Sequence, residues 1–169
     1  RVALARALAP KPALVLLDEP FSNLDVALRQ NLSKEVRRML KHEGIGAILV
    51  THDQQEAFAV ADSIGVIHQG RLQQWASPYD LYHTPANRYV ADFIGQGVLL
   101  PGTVTGPQCV QLELGEFCGV VPQNLPVGQA VQVLLRPDDV VHDDLSPLSA
   151  QVLANDFKGE YFTYTLALP

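Results

Sequence analysis

No apolar run in this sequence approaches the length needed to cross a bilayer, and its opening residues lack the continuous apolar core of a signal peptide. Any membrane role is therefore expected to come through a partner. Positive charge is also scarce, with 12 Lys and Arg against 18 Asp and Glu and a net charge of −6. That balance gives no broad field for neutralising phosphates along a nucleic acid, so nucleic-acid binding is not expected. Cysteine is limited to Cys109 and Cys118. A hairpin turning at Gly115-Glu116 sets Cys118 opposite Glu113 and puts Cys109 out of register for a bridge, so both are read as free thiols in a reducing, cytoplasmic compartment. What remains is ordinary for a folded chain: 169 residues, 47% hydrophobic and 18% charged, suffice for one sizeable core or two small ones.

The chemistry concentrates in Leu14-Val15-Leu16-Leu17-Asp18-Glu19-Pro20-Phe21-Ser22-Asn23-Leu24-Asp25. Its opening aliphatic run has no polar alternation, as expected of a parallel strand buried on both faces. Asp18 and Glu19 then leave the strand at its carboxyl end, the edge where open α/β sheets bind ligands. Two adjacent carboxylates repel one another, and a divalent cation with phosphate oxygens is the usual compensation. An acidic pair alone could equally be a solvated strand end. A second apolar run, Ile48-Leu49-Val50, is followed by Thr51-His52-Asp53. If both runs are strands of one parallel sheet, Glu19 and His52 share an edge.

These residues resemble the carboxyl-terminal half of an ATP-binding-cassette (ABC) importer ATPase. Leu14 to Asp18 is similar to the family's Walker B strand, Glu19 to its catalytic carboxylate, Ser22-Asn23-Leu24-Asp25 to its D-loop and His52 to its switch histidine. Arg1 to Leu8 resembles the helix that follows the family's signature motif. The resemblance implies ATP and magnesium as cofactors, with Asp18 holding Mg²⁺ through water, Glu19 polarising the attacking water and His52 touching the γ-phosphate or that water. Ser22 and Asp25 would lie at a dimer contact. It implies as partners a second copy of the subunit, membrane permease subunits and, indirectly, a solute-binding protein, and a peripheral position on the cytoplasmic side of a bacterial inner membrane. No Gly-x-x-x-x-Gly-Lys-Ser/Thr loop occurs, and there is no initiator Met, so the sequence is expected to be a piece of a longer chain.

Elsewhere the sequence reads as follows. Residues 1 to 9 form a helix stopped by Pro10 and Pro12. Asp25 caps a helix in which Leu28, Leu32, Val36, Met39 and Leu40 recur at helical spacing up to Gly44, with Arg37, Arg38 and Lys41 on a solvated face. Asp53 caps a helix over 54–61. Ser63 to His68 and Arg71 to Trp75 flank the hairpin signal Gln69-Gly70, which makes His68 a turn residue. Tyr79 to Tyr82 and Asn87 to Phe93 are short helices broken by Pro85, and His83 has no partner at metal-ligand spacing. From Gly95 the composition shifts to short strand-like runs: Val110 to Leu114, Phe117 to Val121, Val131 to Arg136, Ala150 to Phe157 and Tyr161 to Leu168.

The expected fold class is thus α/β. Residues 1–76 are the carboxyl-terminal part of a P-loop NTPase domain of the ABC type, 77–96 a helical connector and 97–169 a truncated OB-like β-barrel regulatory domain. Arg136-Pro137-Asp138 resembles a recurring motif of that second domain. Phe93 to Gly102 looks most like ferric-iron importers, with sugar, polyamine, sulfate and molybdate importers as alternatives, as is a non-catalytic regulatory or dimerisation fragment. A DNA-acting ABC ATPase would require coiled-coil insertions and a basic face, which are absent. Expressed alone, the chain is expected to bind Mg-ATP weakly and release no phosphate, because the loop that neutralises phosphates is missing. Calorimetric titration and a phosphate-release assay on the monomer check this; micromolar binding with sustained turnover would mean the phosphate site lies elsewhere.

Overall fold

A computed structural model of the chain describes residues 2–119, 125–146, 148–159 and 161–167. The chain divides into two units, 1–95 and 96–169.

The first unit begins with helix α1 (Val2–Leu8), and Arg1, at the start of the expected helix, lies outside the described residues. Strand β1 (Leu14–Asp18) runs into helix α2 (Val26–Glu43) and strand β2 (Gly46–Val50). β1 and β2 pair in parallel, from Leu14 opposite Gly46 to Asp18 opposite Val50. The intervening helix has the ends its sequence specifies. Asp25 accepts a hydrogen bond from the Leu28 amide at 2.9 Å, and Gly44 closes the helix at φ 66°, a conformation glycine adopts without strain.

The expectation that β1 is buried on both faces does not hold. Val15 and Leu17 are 5% and 8% exposed, but Leu16 is 71% exposed. The inward residues pack with Phe21, with Leu32, Val36 and Leu40 of α2, and with Val60 of helix α3 (Gln54–Val60). Among the described residues β1 and β2 make a two-stranded sheet with helices on one face, which leaves Leu14, Leu16, Ile48 and Val50 exposed on the strands. Within α2, Met39 is exposed while Leu32, Val36 and Leu40 are buried.

Arg37 is a structural staple rather than a freely solvated cation. Its guanidinium donates to the carbonyls of Val60 and Ala61 at the end of α3 and to Asp62 at 2.8 Å, and Lys41 also reaches Asp62, at 2.6 Å. These bonds satisfy carbonyls that a helix end leaves without partners.

Strands β3 (Ile64–His68) and β4 (Arg71–Ala76) form the expected hairpin, with Gln69 at φ 48° and Gly70 at φ 72° in the turn. His68 belongs to the strand instead of the turn, and its ring stacks on Tyr89 at 3.8 Å. Helices α4 (Pro78–His83) and α5 (Arg88–Ile94) follow, capped by Ser77 and Asn87. Leu81, Val90 and Ile94 join Val66 in a second core cluster, and the His83 ring lies against Tyr79 and Tyr82.

Among the described residues the regular elements of the second unit are strands, apart from a single 3-10 turn at Pro137–Asp139. Strands β5 (Val98–Gly106), β6 (Cys109–Leu112), β7 (Gly115–Cys118) and β8 (Ala130–Leu135) make an antiparallel sheet ordered β7-β6-β5-β8. β9 (Gln151–Phe157) and β10 (Phe162–Ala167) form a separate antiparallel hairpin. No closed barrel forms among the described residues. The expected extensions of strands to Val121 and Leu168 run outside the described residues.

β5 is not among the strands read from the sequence; it passes straight through Pro101 and Gly102. Proline is tolerated because Pro101 lies where β5 pairs with β8, before pairing with β6 begins at Gly102. Cys109 and Cys118 are not free thiols. The turn falls at Glu113-Leu114, not Gly115-Glu116, so Leu112 faces Gly115, Cys109 faces Cys118 and the two form a disulfide with Cα atoms 4.1 Å apart.

Arg136 is buried beside this sheet; its side chain donates to the Gln96 carbonyl at 3.0 Å and its backbone amide to Asp139 at 2.7 Å. Gly102 is held by proximity: a methyl group there would sit 2.6 Å from Leu112 Cδ2 and 3.1 Å from the Gln111 carbonyl oxygen. Gly102→Ala is expected to lower unfolding free energy by about 1–3 kcal/mol, read as a lower urea midpoint. An unchanged midpoint would show that β6 can yield without cost.

Candidate functional site

The parallel register of β1 and β2 brings both carboxyl ends to one edge, and the ladder continues one step further as the Glu19 amide donates to the Val50 carbonyl at 2.9 Å. Glu19 then departs from strand geometry at φ 42°, a left-handed conformation uncommon for a residue with a side chain. Behind it, Phe21 is buried in the core and anchors the turn, while Leu24 N–H closes on the Phe21 carbonyl at 3.1 Å.

Glu19 Oε1 lies 3.0 Å from His52 Nδ1. With the carboxylate ionised, Nδ1 must carry the proton, which leaves Nε2 as the ring's other hydrogen-bonding atom. Both side chains are substantially exposed, so this pair contributes little to stability. Asp18 is exposed at the same strand end, adjacent to Glu19. The Ser22 hydroxyl donates to the Glu19 carbonyl at 3.1 Å, and the Asp25 carboxylate caps α2. The structure therefore brings together Glu19 and His52, places Asp18 and Ser22 beside them in the chain, and uses Asp25 at the helix start.

Among the described residues no three His, Cys, Asp or Glu side chains gather as a metal cluster. Magnesium, however, is commonly held by one or two protein carboxylates, with water and phosphate oxygens completing its shell. The hard oxygen donors of Asp18 and Glu19 at an open strand end fit that pattern.

Apart from the Asp53 cap, sequence reasoning missed a network of polar groups next to His52. Asp53 caps α3 by accepting from the Gln55 amide at 2.8 Å and the Glu56 amide at 3.2 Å, and it pairs with Arg29 of α2 at 2.6 Å. Arg29 also donates to the Leu24 carbonyl at 3.0 Å and lies 3.5 Å from Glu56. Glu56 is only 3% exposed and accepts from the Thr51 hydroxyl at 2.6 Å, while Thr51 Oγ1 accepts from the Asp53 amide at 3.0 Å. Arg29, His52, Asp53 and Glu56 line one groove of about 780 Å³ between α2 and α3. The Asp53-x-x-Glu56 spacing of a capping box was a readable signal for part of this network.

No family model matches the chain. It is similar to import ATP-binding proteins. The spermidine/putrescine import ATP-binding protein PotA of Mycoplasma genitalium is 39% identical over 171 residues, covering 99% of this chain and 31% of that protein. PotA of Ruegeria pomeroyi is 47% identical over 141 residues, covering 82% of this chain and 38% of the relative. The sulfate/thiosulfate import ATP-binding protein CysA 2 of Chromobacterium violaceum is 40% identical over 141 residues, covering 83% and 38%. The chain spans less than half the length of these curated relatives.

Burial tends to raise the Asp53 pKa, but the Arg29 guanidinium and the amides of Glu56 and Gln55 outweigh it and hold the carboxyl below its usual value. A depressed folded-state pKa gives stability that is present above the ordinary aspartate range and lost as pH falls through the folded value. Asp53→Asn is therefore expected to cost about 1–3 kcal/mol at neutral pH, with the difference from the parent shrinking below about pH 4. Urea unfolding at pH 7 and pH 3.5 reads this; an equal gap at both would remove the ionised carboxylate from the account.

Proposed function

We propose that the chain is the carboxyl-terminal part of the ATP-hydrolysing subunit of an ABC importer. In this reading residues 1–76 belong to the nucleotide-binding domain, 77–96 connect, and 97–169 form an OB-like regulatory domain. The observation that carries it is the 3.0 Å contact between Glu19 and His52 at the common carboxyl edge of two parallel strands. Similarity to import ATP-binding proteins over nearly the whole chain supports it.

Each residue then has a task set by its position. Glu19 orients and polarises the attacking water, its carboxylate held by His52 Nδ1. His52 keeps Nε2 for the γ-phosphate or that water and so reports nucleotide state. Asp18 would hold magnesium, which when bound would supply positive charge to offset the phosphates. Ser22 and Asp25 lie at the contact with a second subunit. Permease subunits and a solute-binding protein complete the assembly at the cytoplasmic face of the membrane; among the described residues no helix is long and apolar enough to cross it.

For the transported solute, the ferric-iron reading of Phe93 to Gly102 finds no support in the relatives described, whose names specify spermidine/putrescine and sulfate/thiosulfate. We take a polyamine as the solute class, with sulfate second.

In the full-length subunit, Glu19→Gln is expected to keep ATP binding and reduce turnover roughly 10²- to 10⁴-fold. His52→Ala is expected to lower turnover strongly with little change in melting temperature, because the side chain is exposed. Nucleotide titration beside phosphate release checks both. Near-parental turnover of Glu19→Gln would remove the proposed role.

A further inference from the structure

The His52 side chain is 73% exposed and bonds to Glu19, so its position depends on the backbone that carries it. That backbone is gripped on both sides. Thr51 Oγ1 donates to Glu56 and accepts the Asp53 amide, while the Asp53 carboxylate is held by Arg29 and by two amides of α3. The same guanidinium donates through its other terminal nitrogen to the Leu24 carbonyl, within the loop 22–25. Arginine suits this task because its planar fork holds two acceptors in fixed relation, which a lysine ammonium on a flexible stem does not.

Charge makes the arrangement mutually dependent. Asp53 and the buried Glu56 are two carboxylates within reach of one cation, so withdrawing Arg29 would leave them facing each other in a partly desolvated site. A shift of the loop that drags the Leu24 carbonyl must therefore move the guanidinium or break its bond, and either change reaches Asp53, the residue after His52.

We propose that Arg29 is a positioning residue that mechanically joins the loop 22–25 to the turn bearing His52, so that the state of the loop sets the placement of the histidine. The proposal rests on the function proposed above. Arg29 touches neither nucleotide nor water in it; it acts through His52.

The test is a double-mutant cycle in the full-length subunit, with phosphate release and melting temperature measured together. Arg29→Gln should lower kcat roughly ten- to a hundredfold with KM for ATP changed by no more than about threefold. In a His52→Ala background the same substitution should cost no more than about twofold, because the residue it acts through is gone. Additive losses would overturn the proposal and leave Arg29 a general fold determinant. Arg29→Lys keeps a cation beside Asp53 and Glu56, so it should restore the melting temperature while retaining most of the kcat loss. Full recovery of kcat with lysine would overturn the link to the Leu24 carbonyl. Should Arg29→Gln fail to fold, Arg29→Lys carries the cycle with the same two outcomes. Glu19→Gln, run alongside, separates the levels: persistent turnover there defeats the functional reading and this proposal with it, whereas abolished turnover with additive Arg29 losses defeats the proposal alone.

Discussion

Parallel pairing of two short strands is the constraint on which the site depends. Because Asp18 lies opposite Val50, the residues that follow each strand emerge side by side, and the reach of one carboxylate and one imidazole closes the gap. A slip of one residue would turn every side chain of the slipped strand to the other face, exchanging Val15 and Leu17 for Leu14 and Leu16 against the helices. The register is protected at a distance. Asp25 sets where α2 starts, Gly44 where it stops, and buried Leu32, Val36 and Leu40 where it lies.

The forces around the candidate residues are unevenly distributed. Glu19 and His52 meet in solvent, where a polar contact is weak, and little in it would hold them there. The strong interactions lie behind them, in the partly buried Arg29, Asp53 and Glu56 set and in Phe21 under the turn. The candidate groups stay exposed while the groups that position them are partly removed from water, where electrostatic attraction is less screened.

Local and periodic features were legible in the sequence. The caps at Asp25 and Asp53 and the turn at Gln69-Gly70 depend on residues within one or two turns of each other, and so does the α2 stripe. The meeting of Glu19 and His52 was also readable, because both follow apolar runs of the same kind. What escaped was set by pairing across the chain. Arg29 looks like any surface helix cation until β2 returns and presents Asp53 to it. The cysteine bridge turns on whether a hairpin bends at 113–114 or two residues later, a choice made by sheet register as a whole. β5 runs through Pro101 because one side of the strand is still open there, which no local rule reveals.

The left-handed backbone of Glu19 matters to anyone who sets out to make this chain more robust. A side chain at φ 42° costs on the order of 1 kcal/mol that glycine would not incur. An optimiser scoring folded-state energy alone would therefore favour Glu19→Gly among its first improvements and would regard the exchange as free, since the exposed carboxylate adds so little to stability. It would be deleting the group proposed to act on water. At this position thermostability and the proposed chemistry pull in opposite directions, so a redesign for robustness should keep residue 19 fixed and seek its gains elsewhere.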